Sequence, residues 1–424
     1  MRLRLFIALL TSFVSLYAQA MSGANCYTSL DNPQEIQGDN INERLPLAST
    51  SKLITSYWAI KEKGIDYRFA TVFYFTQVGR DLYDLHIQGS RDPFFGAERA
   101  HYTISELNKR GIKHIRNLTF DENFKFYWSV DDPKRNNSVA EGFYVPQDPV
   151  PRKVMLQLRA FSTLLKGYKE TYYKAAKIGV KMVKKPVFTI QDIEFQSDED
   201  FKKTQNPADH IYVVNSTPLS SLLKEMNRNS NNYAANQIFE HMESEEKFSQ
   251  FIEKDMNLDM HSVVMFNGSG DRYDLSDGAH YNEATCSAML KILINLHKTL
   301  LDQHSSFSKI ATVIGTNSGT PTSLYTNDKT YDSVVAKTGT VNPAVTLAGV
   351  ASTKKGLIFF MFNEKTNGTA RSWNNARYII RKKLTQLMSQ FNGGVRMKAK
   401  SFSFVSFDNL SFSDLVDSSG EILQ

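Results

Sequence analysis

The chain has 424 residues, of which 41% are hydrophobic and 22% charged, and this is enough for two or three domains with buried cores. An aromatic content of 12% and a mean hydropathy of -0.36 exclude a disordered polymer and a protein with many membrane-spanning helices. The formal net charge of +6 is small for this length and includes two arginines at the N-terminus, so no nucleic-acid partner is predicted.

The N-terminus has the features of an export signal. Arg2 and Arg4 precede a short apolar run at residues 5–10, and the small-x-small triplet Ala-Gln-Ala follows at residues 18–20. This order predicts a signal peptide over residues 1–20 and export of the chain to the periplasm. An N-terminal membrane anchor is the alternative, and association with a membrane surface stays open.

Two cysteines, Cys26 and Cys286, are present in the whole chain. Export permits a disulfide between them, but their distance in sequence does not establish that they meet. Cys286 falls in an apolar-periodic stretch at residues 284–300, where a buried, unpaired cysteine is an equal alternative.

Secondary-structure signals become clear at residue 49, because residues 22–47 are polar and turn-rich with little strand character. The elements predicted up to residue 195 are helices at 49–63, 101–110 and 154–174 and strands at 69–75, 82–87, 115–120 and 186–195. Residues 131–133 and 146–151 are dense in turn formers, and the polar stretch 196–209 is interpreted as a linker.

A second series of elements begins with a strand at residues 210–214. Its other members are helices at 219–226, 233–242, 284–300 and 373–391 and strands at 334–336, 345–350 and 357–362. The Ser- and Phe-rich tail after residue 398 fits an edge strand or a partner motif equally well. The organisation predicted is a mixed α/β unit (residues 21–63 and 208–395), a domain-sized insert (64–207) and a C-terminal tail (396–424).

A serine and a lysine three residues apart open the first predicted helix. Ser49 and Lys52 share one helical face, so the lysine amine lies within reach of the serine hydroxyl. A serine becomes a nucleophile when a base removes its proton, and lysine can be that base where burial and a second cation favour its neutral form. The same spacing occurs at 221–224, 244–247, 306–309 and 352–355, where it is interpreted as ordinary helix with surface charge.

Ser230 and Asn232 lie in a polar break at residues 227–232, between two predicted helices. A serine hydroxyl there can relay a proton, and an asparagine amide can bind a peptide group of a substrate. A helix cap is the simpler alternative, because Ser and Asn are favoured at that position.

The segment Lys337, Thr338, Gly339 and Thr340 follows an apolar strand signal. A lysine and a hydroxyl on such a strand can bind a substrate carboxylate, and Gly339 leaves room for substrate backbone beside the strand. A strand that ends in a turn is the alternative.

Together, the three motifs resemble the signature of the serine D-alanyl-D-alanine carboxypeptidases, and within them the class C low-molecular-mass penicillin-binding proteins with carboxypeptidase and endopeptidase members. Further stretches that resemble this branch are residues 46–53, 85–93, 216–219, 229–234 and the loop 267–270, in which Asn267 stands where the family has Asp. The resemblance spans about residues 45–363. It implies an α/β (α+β) fold, with a penicillin-binding transpeptidase/β-lactamase-like domain (an antiparallel sheet flanked by helices) and a large inserted α+β domain.

The resemblance also implies roles for the motif residues. Ser49 would attack the D-Ala-D-Ala bond of a peptidoglycan stem peptide, Lys52 would accept its proton, and Ser230 would relay a proton to the leaving amine. Backbone N–H groups of Ser49 and Thr340 would form an oxyanion hole. The residues implied in substrate binding are Asn232, Lys337, Thr338, Gly339 and Thr340.

The resemblance implies no cofactor or metal, and the nine histidines contain no His-x-x-x-His pair. β-Lactam antibiotics are expected as covalent inhibitors, and the oligomeric state is not predicted. A β-lactamase with fast deacylation and a catalytically inactive homologue that binds cell wall are the alternatives. An α/β-hydrolase esterase is disfavoured, because the sequence lacks a Gly-x-Ser-x-Gly motif.

Overall fold

A computed structural model describes residues 23–124, 126, 165–204, 210–242, 245–404 and 411–414. The predicted signal peptide, the two turn-dense stretches and the first part of the helix predicted at 154–174 lie outside these residues. No helix among the described residues is both long enough and apolar enough to cross a bilayer.

The strands of the described chain are β1 (Ala24–Ser29), β2 (Gln37–Asp39), β3 (Arg44–Pro46), β4 (Ala70–Gly79), β5 (Leu82–Gln88), β6 (His114–Phe120), β7 (Thr189–Phe195), β8 (His210–Asn215), β9 (Val263–Val264), β10 (Tyr273–Leu275), β11 (Gly278–His280), β12 (Glu283–Thr285), β13 (Thr312–Val313), β14 (Val334–Val341), β15 (Ala344–Thr353), β16 (Gly356–Lys365) and β17 (Ser411–Asp414). The α-helices are α1 (Ser51–Lys63), α2 (Ala97–Lys109), α3 (Leu165–Lys177), α4 (Asp198–Thr204), α5 (Leu219–Asn229), α6 (Asn232–His241), α7 (Glu245–Gln250), α8 (Cys286–Asp302), α9 (Thr320–Tyr325) and α10 (Ala370–Gln390).

The chain divides into two compact units, each built from separate stretches of sequence. The first unit comprises Met1–Glu62, Leu223–Asn232 and Met242–Phe402. The second unit comprises Lys63–Leu222, Tyr233–His241 and Ser403–Gln424.

The first unit is built on a six-stranded sheet in the order β13-β14-β15-β16-β1-β2, with antiparallel pairing at every step. Strands β14 and β15 are buried almost along their whole length, as expected for strands covered on both faces. Successive side chains of a strand point to opposite faces. Phe360 and Phe362 of β16 share a core with Ile380 and Leu384 of α10. Phe359, on the other face, contacts His297 of α8.

Strand β1 lies within residues 22–47, where the sequence shows little strand signal. It pairs antiparallel with β16, from Ala24 opposite Asn363 to Ser29 opposite Ile358, and its side chains alternate between buried and partly buried. Its own residues are mostly small or polar, so the hydrophobic pattern that usually marks a strand is weak. The apolar partner β16 fixes its place in the sheet.

The two cysteines form a disulfide that ties the sheet to a helix. Cys26 of β1 and Cys286 of α8 are bonded, with Cα atoms 6.0 Å apart, across 260 residues of sequence. Of the two alternatives left open by the sequence, pairing is therefore the one observed.

The second unit contains a six-stranded sheet in the order β17-β8-β4-β5-β6-β7. The β5–β6 and β6–β7 pairs are parallel, and the other pairs are antiparallel. The turn after β5 is fixed by a buried ion pair between Asp92 and Arg99, and Asp92 also accepts a hydrogen bond from the backbone N–H of Phe94.

Three features of the second unit differ from the sequence prediction or extend it. The stretch 196–209, interpreted as a linker, contains helix α4. Strand β8 pairs with β4, so the second unit extends to Leu222, beyond the boundary predicted at residue 208. Residues 411–414 of the tail form β17 at the edge of this sheet, which agrees with the edge-strand alternative.

Candidate active site

Ser49 lies in a tight 3-10 turn, Ala48–Thr50, that leads into α1 in the first unit. Ala48 has φ 49, a left-handed conformation that a residue with a Cβ adopts only when its surroundings enforce it. Two hydrogen bonds hold the preceding residues: Thr346 Oγ1 donates to the carbonyl of Leu47 at 2.8 Å, and Asn363 Nδ2 donates to the carbonyl of Pro46 at 2.8 Å. Strands β15 and β16 thus fix the position of the serine.

Two glycines allow other backbone segments to reach this turn. A Cβ on Gly339 of β14 would lie 2.3 Å from Thr346 Oγ1 and 2.8 Å from the backbone nitrogen of Ser49. Gly270 has φ 74, and a Cβ on it would lie 1.9 Å from the carbonyl oxygen of Ala48. The sequence interpretation gave the space at Gly339 to substrate backbone, but the structure fills it with the turn that carries Ser49.

The side chain of Lys52 is fully buried and points back along the helix to Ser49. Its Nζ donates hydrogen bonds to Ser49 Oγ at 2.9 Å, to Asn232 Oδ1 at 2.7 Å and to the backbone carbonyl of Ser269 at 2.9 Å. Burial lowers the pKa of Lys52 well below its usual value, and the nearby charge of Lys337 lowers it further. The site therefore favours the form of the amine that can accept a proton.

Lys337, on β14, is also fully buried and faces the polar break after α5. Its Nζ donates to Ser230 Oγ at 3.0 Å and to the carbonyl of Thr338 at 2.7 Å. Burial lowers the pKa of Lys337 to about 7. Ser230 has φ 55, a second left-handed residue that bears a Cβ in this site.

Buried contacts of α5 hold Ser230 in place. Lys224 Nζ donates to the carbonyl of Ser308 at 2.8 Å and to Asn317 Oδ1 at 2.6 Å, and it also contacts the carbonyl of Ala311. Asn227 Nδ2 donates to Ser56 Oγ of α1 at 3.0 Å, which connects the two helices behind the site. Lys224 was interpreted as a surface charge, and that was wrong, because the residue is 3% exposed and burial lowers its pKa to about 7.

A polar loop at residues 267–271 closes the site beside Lys52. Asn267 Oδ1 accepts hydrogen bonds from the backbone N–H groups of Ser269 at 3.1 Å and Gly270 at 2.7 Å. The side-chain oxygen of Asn267 therefore stabilises the turn of this loop. This turn directs the Ser269 carbonyl toward Lys52. The next residue, Asp271, accepts a hydrogen bond from Asn232 Nδ2 at 2.9 Å.

Thr338 and Thr340 continue β14 beyond the short strand β13, which pairs only with Val335 and Ala336. Thr338 is nearly buried and Thr340 is exposed. Arg377 of α10 donates to Thr340 Oγ1 at 3.4 Å, and no hydrogen-bond acceptor contacts its buried Nε among the described residues. A cation therefore lies beside the exposed hydroxyl of this strand.

The structure brings all eight predicted site residues into the first unit, and direct hydrogen bonds connect Ser49, Lys52 and Asn232 in one group and Ser230 and Lys337 in another. The sequence interpretation missed Asp271 and the backbone carbonyl of Ser269. An acidic residue directly after the Gly-Ser-Gly loop was a signal for the first. A backbone carbonyl leaves no sequence signal. Within the described parts of the chain, no group of three or more His, Cys, Asp or Glu residues could hold a metal ion.

The antiparallel sheet flanked by helices, with a serine turn and two buried lysines, defines a serine hydrolase of the penicillin-binding type. The sequence matches the D-Ala-D-Ala carboxypeptidase 3 (S13) family over residues 17–138 and 182–387. The chain belongs to this family and is a serine-type peptidase. The resemblance and the fold predicted from the three motifs are thus confirmed.

Solved structures of related proteins agree with this assignment. The predatory peptidoglycan endopeptidase Bd3459 from Bdellovibrio bacteriovorus is 34% identical, with a TM-score of 0.84 over 93% of this chain and 100% of that chain. The predatory endopeptidase Bd0816 from the same organism, solved with immunity protein Bd3460, is 31% identical, with a TM-score of 0.84 over 92% of this chain and 99% of that chain.

A more distant similarity extends to penicillin binding protein 4 (dacB) from Haemophilus influenzae. It is 15% identical, with a TM-score of 0.60 over 87% of this chain and 97% of that chain, and it supports the fold alone. No curated protein sequence matches the chain.

Proposed function

We propose that the protein is an exported serine D,D-peptidase that cleaves D-alanyl-D-alanine in peptidoglycan stem peptides and, as an endopeptidase, D-alanyl cross-links. The observation that carries the proposal is the buried amine of Lys52, 2.9 Å from Ser49 Oγ, with Lys337 as a second cation nearby. Burial and a neighbouring cation favour the neutral amine that a general base requires. The peptidoglycan endopeptidase Bd3459, 34% identical to this chain, supports the substrate class.

In the acylation step, Ser49 Oγ bonds to the scissile carbonyl carbon while its proton passes to the Lys52 amine. The backbone N–H groups of Ser49 and Thr340 stabilise the resulting oxyanion. When the C–N bond breaks, the Ser230 hydroxyl relays a proton to the leaving amine, and the Ser49 ester remains. The 3.0 Å hydrogen bond from Lys337 to Ser230 Oγ supports this relay, because it keeps the hydroxyl beside a proton donor.

Substrate binding is assigned to Asn232 and to β14. Asn232 holds the substrate amide, and Lys337, Thr338 and Thr340 bind the carboxylate next to the scissile bond. Arg377, 3.4 Å from Thr340 Oγ1, supports this assignment because it adds a second positive charge at the same end of the strand. Gly339 keeps β14 close to the serine turn.

Water then hydrolyses the acyl-enzyme, which returns the proton to Ser49 and releases the shortened peptide. A β-lactam forms the same ester but has no departing amine, so we expect penicillins to act as covalent inhibitors. The penicillin G acylated form of the relative Bd3459 supports this expectation.

The periplasm is the compartment that we propose, because peptidoglycan lies there and residues 1–20 have the composition of an export signal. The disulfide between Cys26 and Cys286 supports this location, since disulfides persist in oxidising compartments.

The test uses the purified protein and a fluorescent penicillin, followed by mapping of the labelled peptide. We expect a label on Ser49 that is absent from Ser49→Ala. Ser352→Ala, which makes the same change in another Ser-x-x-Lys sequence, should label normally. Labelling of Ser49→Ala at the rate of the unsubstituted protein would contradict the assignment.

Product analysis separates the remaining functions. Release of D-Ala from a synthetic pentapeptide indicates carboxypeptidase activity, and conversion of cross-linked muropeptides to monomers indicates endopeptidase activity. Rapid turnover of penicillin without a stable adduct would identify a β-lactamase instead. A folded protein that neither labels nor releases either product would be a catalytically inactive wall-binding homologue.

A further inference from the structure

A carboxylate outside the three sequence motifs contacts the catalytic group through Asn232. Asn232 Oδ1 accepts from Lys52 Nζ at 2.7 Å, and Asn232 Nδ2 donates to Asp271 Oδ2 at 2.9 Å. Rotation of this amide by half a turn would put its oxygen against the Asp271 carboxylate, where two acceptors would face each other. The Asp271 carboxylate, which can only accept, therefore selects the orientation in which the amide oxygen faces Lys52 Nζ.

The position of Asp271 is itself fixed by its own loop. Its backbone N–H donates to Ser269 Oγ at 3.2 Å, and its carbonyl accepts from Asn267 Nδ2 at 3.0 Å. Its Oδ1 accepts from the backbone N–H of Arg272 at 2.9 Å, which leaves Oδ2 for Asn232. The guanidinium of Arg272 pairs with Asp274 at 2.7 Å.

The charge of Asp271 also affects the pKa of Lys52. Burial lowers the pKa of Lys52 most, the charge of Lys337 lowers it further, and the charge of Asp271 raises it. Asp271 is the one acidic group among these three influences, and it is exposed, so solvent screens part of its effect. The negative charge of Asp271 nevertheless opposes the effects of burial and of Lys337 on the pKa of Lys52.

We propose that Asp271 is a positioning residue that orients the Asn232 amide, so that the amide oxygen holds the Lys52 amine beside Ser49. This inference rests on the proposed function and deepens it. Asp271 touches neither Ser49 nor Lys52 directly and acts through Asn232. Because the Asn232 oxygen is one of three acceptors of the Lys52 amine, a misoriented amide would move the base away from the nucleophile.

Two substitutions separate the hydrogen bond from the charge. Asp271→Asn keeps an oxygen that can accept from Asn232 Nδ2 and removes the charge, whereas Asp271→Ala removes both. Asp274→Asn makes the same charge change three residues away, in the exposed pair with Arg272, and serves as the matched control. The readout is the second-order rate constant for acylation by a fluorescent penicillin as a function of pH, with thermal unfolding recorded in parallel.

For Asp271→Ala we expect acylation about tenfold slower at the optimal pH, as for the loss of a hydrogen bond that positions a charged group. Asp271→Asn has a single side-chain oxygen for Asn232 Nδ2 and the backbone N–H of Arg272, so its optimal rate should lie between that of Asp271→Ala and that of the unsubstituted protein. The acidic limb of its plot of acylation rate against pH should lie at lower pH than in the unsubstituted protein, because loss of a negative charge lowers the pKa of the Lys52 base. Asp274→Asn should show a smaller shift, since its carboxylate does not contact Asn232.

The outcomes distinguish the inference from the proposed function. If the unsubstituted protein does not label, the proposed function fails. If it labels and both Asp271 variants keep its rate and its acidic limb, the inference is overturned, whatever their melting temperatures. A lower melting temperature with an unchanged pH profile would mean that Asp271 only stabilises its loop. Should Asp271→Ala fail to fold, Asp271→Leu, which is close to Asp in shape and has no hydrogen-bond acceptor, takes its place, and a normal optimal rate in that variant would overturn the inference.

Discussion

The contact between Gly339 and the serine turn gives a prediction with a calculable size. In Gly339→Ala, the added Cβ would lie 2.8 Å from both Ala48 Cβ and Ser49 N, about 0.6 Å short of the 3.4 Å of ordinary contact. It would also lie 2.3 Å from Thr346 Oγ1, the hydroxyl that holds the Leu47 carbonyl. Overpacking of this kind destabilises by about 1–3 kcal/mol. A shift of the nucleophile approaching 1 Å slows reaction by up to about 100-fold.

We therefore expect Gly339→Ala to fold with reduced stability and to acylate with penicillin about 10- to 100-fold more slowly. Stopped-flow labelling gives the acylation rate, and urea unfolding gives the free energy of unfolding. Gly79→Ala is the control, since the nearest atom to its added Cβ, Leu82 Cβ, lies at 3.5 Å, and it should change neither quantity. Acylation of Gly339→Ala at the normal rate would refute the argument that β14 and the serine turn are in contact through this glycine.

Three other perturbations test the disulfide and the two buried lysines Lys337 and Lys224. Reduction of Cys26–Cys286, or the double substitution Cys26→Ser with Cys286→Ser, should lower the free energy of unfolding by about 2–5 kcal/mol in urea titrations, and the double variant should be insensitive to reductant. Lys337→Met removes a positive charge that lowers the pKa of Lys52, so the acidic limb of the plot of acylation rate against pH should move to higher pH. The rate itself should fall at every pH. An acidic limb at an unchanged pH would contradict the influence of Lys337 on the pKa of Lys52. Lys224, with a pKa lowered to about 7 in the folded chain, binds fewer protons there than in the unfolded chain between pH 7 and 10.5, so it makes stability rise with pH in that window. Lys224→Met should reduce the slope of the free energy of unfolding against pH by up to about 1.4 kcal/mol per pH unit, measured by urea unfolding at pH 8.0 and 9.5. An equal slope in the variant and the unsubstituted protein would show that Lys224 is charged when buried.

The three motifs were readable from the sequence because their chemistry depends on residue type and on local spacing. Ser49 and Lys52 meet within one helical turn, so their 2.9 Å contact follows from the spacing of three residues. The strand that carries Lys337 was marked by the apolar residues before it. Family resemblance supplied the rest, since local spacing cannot place Ser230 beside Lys337, 107 residues later.

The parts that were misread depend on distant partners. Strand β1 has a weak pattern of its own and exists because β16 lies beside it. Lys224 resembles any helical surface lysine in sequence, and only the acceptors Ser308, Ala311 and Asn317, over 80 residues away, make its burial favourable. The strand predicted at residues 210–214 is present as β8, but the sequence did not indicate that it would pair with β4.

The pairing of β1 with β16 has a consequence for how the polypeptide matures. Strand β1, which begins at Ala24, pairs with a strand that ends at Lys365, so the sheet that supports the serine turn closes only after residue 365 has been synthesised. Contacts this distant in sequence form slowly, because a long loop must be ordered first. Biogenesis therefore includes an interval in which β1 has been synthesised and its partner β16 has not, so β1 cannot yet take its place in the sheet.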